Sequence, residues 1–205
     1  MNEDTQTRII LGIDPGSNIL GYAFLHISPA ARKPRLLSMG VLDMRKQEEQ
    51  LGKLKQIYDE LTDLIRLYTP TDAAIEAPFY GKDAQAMLKL GRAQGVAMIA
   101  VASNNIPVTE YSPRTIKKSV TGNGNASKEQ VAAMLVHLVE GEIAHKYLDA
   151  SDALGIAYCH FLGTGTSNSG QTKTQQKKNA SKTATSKKYT GWDAFVQENT
   201  DRLND

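Results

Sequence analysis

The run Ile9-Ile10-Leu11-Gly12-Ile13, closed by Asp14-Pro15-Gly16-Ser17, constrains this chain more than any other stretch. A short continuous apolar run ended by a Pro-Gly turn reads as a buried strand, here residues 8–14. Residues 20–28 and 35–42 read as two further strands joined by short, turn-rich connections, which predicts an antiparallel meander. Apolar groups at Leu51, Leu54, Ile57, Leu61, Leu64 and Ile65 give residues 47–68 helical spacing with one buried face, and Pro70 stops that helix. A strand at 72–76, a helix at 83–103 and a short strand at 107–111 follow. Pro113 opens a short helix over 113–120, and Ser127 with Gln130 forms a capping box for the next. A last apolar helix covers 149–162. This order predicts an α/β layer fold with a five-stranded mixed sheet flanked by helices.

The composition shifts after Leu162. Residues 163–190 are almost entirely Gly, Thr, Ser, Gln, Asn, Ala and Lys, too polar to offset ordering entropy by burial. The expected organisation is one domain over 1–162, a disordered Lys-rich tail over 163–190, and a short segment over 191–205 in which Trp192 and Phe195 suggest docking. One cysteine, Cys159, excludes an internal disulfide. The polar start MNEDTQTR lacks an apolar signal region, and no apolar run approaches the ~20 residues of a membrane span, so the expected setting is cytoplasmic. The formal charge of +2 hides basic stretches. Lys89, Arg92, Arg114, Lys117, Lys118 and Lys128 face only Glu110 between residues 84 and 128, which favours a nucleic-acid partner.

Four acids stand in informative places. Asp14 and Glu76 each end an apolar strand, and Asp149 and Asp152 share one side of a helix turn. Each has an ordinary reading: a turn residue for Asp14, an N-cap for Asp149, a favourable helix-start charge for Asp152. A charge at the end of a buried strand, as at Glu76, is costly without a partner. Parallel neighbouring strands would bring Asp14 and Glu76 to one sheet edge, where the helix pair can join them. Four unpaired acids there would repel, and hard divalent cations with oxygen ligands relieve that repulsion. Lys117 and Lys128 sit near helix N-termini, where added positive charge suits a phosphate. Phe79, just after Glu76, can stack on bases or pack in the core.

Ile10-Leu11-Gly12-Ile13-Asp14-Pro15-Gly16-Ser17, Ala74-Ile75-Glu76, Leu88-Lys89-Leu90-Gly91 and Asp149-Ala150-Ser151-Asp152-Ala153-Leu154 resemble the signatures of the RuvC family of Holliday-junction resolvases, in order and spacing over residues 8–162. The resemblance implies a ribonuclease H-like fold and a homodimer with one active site per subunit. It also implies Mg²⁺-dependent paired nicking of four-way junction DNA, with Mn²⁺ as a substitute, and cooperation with a RuvA–RuvB branch-migration complex. Asp14, Glu76, Asp149 and Asp152 match the family's metal-binding acids, Lys117 and Lys128 its catalytic lysines, and Phe79 its junction-contacting aromatic. Arg114 falls on a basic position of the same region. Two metals about 4 Å apart would hold the phosphate and activate water. Asp83, Ala86 and Gln94 depart from the family pattern, where Asn, Ser and Arg are frequent.

Other readings share these residues. The turn after the first strand also occurs in sugar kinases and actin-like ATPases, although ~160 structured residues leave no room for their second domain. A junction-binding module without catalysis, and a related nuclease acting on another nucleic acid, remain as alternatives.

Overall fold

The structure, a computed structural model, describes residues 7–78, 83–143 and 148–165. In chain order the elements are β1 (Arg8–Asp14), β2 (Ile19–Ile27), β3 (Arg35–Asp43), α1 (Gln50–Tyr68), β4 (Asp72–Glu76), α2 (Ala84–Ala102), β5 (Val108–Tyr111), α3 (Pro113–Thr121), α4 (Lys128–Leu138) and α5 (Leu148–Gly165). The sheet order is β3-β2-β1-β4-β5. The first three strands form the expected antiparallel meander. β4 and β5 then add in parallel, each through a helical crossover.

The hydrophobic pattern decides the layering. Ile13, Leu11 and Phe24 on one sheet face pack with Ile57, Leu61 and Ile65 of α1 and with Ala93, Ala97 and Val101 of α2. Ile10, Ala23 and Leu25 on the other face pack with Val131 and Leu135 of α4 and Leu154 and Ala157 of α5. Residues alternating along each strand therefore serve opposite layers.

Several boundaries differ from the sequence reading, among them the end of α5, which runs to Gly165 rather than stopping at Leu162. α1 begins at Gln50 rather than at residue 47, because Gln47 donates its N–H to Met44 O in a turn. α5 begins at Leu148, so Asp149 lies inside the first turn rather than at the N-cap. The capping box of Ser127 and Gln130 and the N1 proline of α3 are present as expected. Phe79, residues 166–190 of the expected tail and the segment 191–205 lie outside the described residues. No helix among the described residues is long and apolar enough to cross a membrane.

Candidate active site

β1 and β4 run parallel, with Ile13 beside Ile75, so the next residues, Asp14 and Glu76, leave the sheet at the same edge. The helix pair reaches that edge because two strand positions carry no side chain. A Cβ on Gly12 would lie 2.1 Å from Ala153 O, and one on Gly21 would lie 2.0 Å from Asp149 O. The α5 backbone thus rests directly on β1 and β2. Gly21 is the cross-strand partner of Asp14, so the residue that admits the Asp149 carbonyl sits opposite the acid that Asp149 must meet.

Carboxylate oxygens of Asp14, Asp149 and Asp152 all lie within 4.8 Å of one another. Glu76 stands outside this tight trio but next to it, with its carboxyl hydrogen-bonded to Asp14. Burial, then the charges of Glu76 and Asp152, push the Asp14 carboxyl up to about 8. Burial also raises Glu76, although its hydrogen bond with Asp14 opposes the shift. The donor set is entirely carboxylate oxygen and suits a hard divalent cation.

Two lysines complete the cleft. The Lys128 ammonium donates to Asp152 Oδ2, with the lysine side chain 54% exposed and the aspartate 19%. Burial lowers the Lys128 ammonium, but the Asp152 hydrogen bond and the neighbouring carboxylates outweigh it and hold it above its ordinary value. Lys117 lines the same cavity together with Glu76, Asp152 and an apolar wall of Ile116, Val131 and Ile156. Its charge stabilises ionised Glu76. Arg114 and Lys118 lie exposed on α3, outside the lining of the cleft, and the 122–125 loop folds against Arg114 through Gly124. Lys89 and Arg92 are exposed on α2 and do not line the acidic cleft either.

The sequence reading missed the placing role of Gly21. It also treated Gln94 only as a departure from a basic pattern. Gln94 is buried, and its Nε2 donates to the Glu76 backbone carbonyl and to Glu110 Oε2, both at 3.3 Å. It therefore ties α2 to the end of β4. His160 is buried two turns beyond Asp152 and bonds Tyr111 Oη through Nδ1 at 3.0 Å, which ties α5 to β5.

A mixed five-stranded sheet with an all-carboxylate cluster at one edge defines the class as a ribonuclease H-like nuclease, a metal-dependent one. Comparison with known proteins makes this specific. The model of the family "Crossover junction endodeoxyribonuclease RuvC" matches residues 10–160. A protein of that name from Bacteroides fragilis is 43% identical over 205 residues, covering 99% of this chain and 100% of its own. Another from Christiangramia forsetii is 46% identical, covering 96% and 93%. The solved structure of T. thermophilus RuvC in complex with Holliday junction substrate superposes with a TM-score of 0.70 at 29% identity, over 78% of this chain and 97% of that one. The chain belongs to the RuvC family.

Proposed function

We propose that this protein is a structure-specific DNA endonuclease that resolves four-way junctions by paired nicking in recombination and repair. The observation that carries this reading is the convergence of Asp14, Asp149 and Asp152 beside Glu76, Lys117 and Lys128 in one cleft, in a chain of the RuvC family. Asp14, Asp149 and Asp152 would hold Mg²⁺, or Mn²⁺ in its place, with Glu76 as the fourth ligand; two ions would fit the family pattern. When bound, such cations polarise the phosphodiester and activate water for attack.

The chain's own groups do the rest. The acids would hold at the sheet edge the cations to which a scissile phosphate binds. Lys128, held at the cleft by its ion pair with Asp152, brings an ammonium within reach of the phosphate oxygens. Lys117, in the same cavity lining, adds charge where negative charge grows in the transition state. The exposed cations Arg114 and Lys118 on α3, and Lys89 and Arg92 on α2, extend the backbone contact, and Phe79 meets the bases of the opened junction.

A homodimer supplies the second nick. α2 exposes Leu88 (64%) and Ile99 (53%), and a Cβ at Gly91 or Gly95 would meet nothing within 4 Å, so a second α2 can approach closely. An isologous pairing duplicates the cleft about a two-fold axis. The RuvA–RuvB complex is the expected branch-migration partner.

The direct test is a synthetic four-way junction incubated with purified protein, with and without Mg²⁺, beside linear duplex and RNA of matching sequence. Symmetric nicks confined to the junction and dependent on the cation are expected. Equal cutting of linear duplex or RNA would support a nuclease of different specificity, and binding without cutting would support a non-catalytic module.

Cation loading is expected to depend on pH. The folded chain holds a proton near Asp14 up to about 8, against an ordinary 3.8 in the unfolded chain. The folded state therefore binds more protons across that interval. Metal-free stability falls as pH rises through it, and cation affinity increases, because the cation must displace the proton. Calorimetric titration at pH 7 in buffers of different ionisation heat should show proton release on Mn²⁺ binding, vanishing above pH ~9. Release-free binding with constant affinity from pH 6 to 9 would contradict it.

A further inference from the structure

The acidic edge has basic groups on both sides, and only one side is explained by the cleft. Lys117 and Lys128 come from the α3–α4 layer. On the α1–α2 layer a separate polar cavity is lined by Ser17 and Asn18 of the turn after Asp14, by Lys53 of α1, and by Lys89 of α2. We infer that this cavity is a second cradle for a backbone phosphate of junction DNA, engaging the strand on the far side of the cut from Lys117 and Lys128. The inference rests on the resolvase reading and deepens it.

The turn that carries the cavity is fixed. A Cβ at Gly16 would lie 1.9 Å from Ile19 O, so the turn is closed tightly on itself. Asn18 is held twice: its backbone carbonyl accepts from Met44 N–H at 2.8 Å, and its side-chain Oδ1 accepts from Lys53 Nζ at 2.6 Å. Four residue steps separate Asn18 from Asp14, which places them at most ~14 Å apart. A DNA strand covers that span in about four nucleotides at ~3.4 Å rise each.

The charge balance favours an anion. Neither Lys53 nor Lys89 is paired with an acid among the described residues. Asp83 also lines the cavity, but its Oδ1 already accepts from the N–H groups of Gln85 and Ala86 at 2.9 and 3.0 Å, capping α2. Among the lining residues, Gln50 has a buried Nε2 donor with no hydrogen-bond acceptor among the described residues. Two lysines and a serine hydroxyl lining one cavity, with its carboxylate already engaged as a cap, describe a site for one phosphate.

The test uses full-length protein and a synthetic four-way junction, with binding measured in a chelator across a salt series. Lys53→Gln keeps a donor for Asn18 and removes the charge, and Lys89→Gln removes the second. Lys55→Gln, on the exposed face of α1 and paired with Asp59, is the control. The slope of log K against log salt should fall by about one for each cradle lysine, with affinity weakened across all junction sequences alike. A double variant whose slope and affinity match wild type, or match the Lys55→Gln control, would overturn the cradle while leaving the resolvase reading intact. Wild-type protein that fails to bind the junction at all would instead overturn both.

Discussion

Asp14→Asn will bind four-way junctions within a few-fold of wild type and cut them ~10²–10³-fold more slowly or not at all. The loss follows from the site: Asp14 is the member of the aspartate trio supplied by the sheet. Removing one preorganised group that stabilises transition-state charge typically costs that much. The same variant should be more stable than wild type without metal. Burial and the charges of Glu76 and Asp152 disfavour ionised Asp14, and a neutral amide removes that penalty. At pH 8 the expected gain is about 1–3 kcal/mol, read from denaturant unfolding in a chelator. A variant that cuts junctions at a normal rate would remove Asp14 from the metal site.

Gly21→Ala will separate placement from chemistry, because it alters no acid. The added methyl must fit where Asp149 O now lies, 2.0 Å away, and the obstacle is backbone that no rotamer change can clear. α5 has to lift off the sheet or β2 has to bend, at a cost of about 1–3 kcal/mol. Either movement carries Asp149 away from Asp14, and a shift of ~1 Å at a reacting centre can cost ~10²-fold in rate. Metal titration distinguishes this from simple unfolding: the folded fraction should bind Mn²⁺ more weakly. Wild-type stability together with wild-type metal affinity would show that the close approach at Gly21 is not needed.

Much of this was legible because the chain is locally consistent. Strands that end in acids, short turns in the meander and a proline-capped α3 each announce themselves within a few residues, and they suffice to order the elements and to place Asp14 and Glu76 at one edge. The family signatures add the helix pair. What sequence does not expose is registry between distant segments. Gly21 matters only because it faces Asp14 across two strands and lies beneath α5. Gln94 is one glutamine in a helix until the packing of α2 sets it against the end of β4. The contact between Lys128 and Asp152 joins residues 24 apart on different helices. Lys53 was unremarkable until α1 docked beside the turn at Asn18. The start of α5 was misjudged by one residue because a good capping residue, Asp149, is used for a different purpose.

The ion pair of Lys128 with Asp152 has a consequence for the metal-free molecule. One carboxylate is matched by an ammonium and Asp14 keeps its proton to about 8, so the folded chain offsets part of the cluster's repulsion by itself, without a cation.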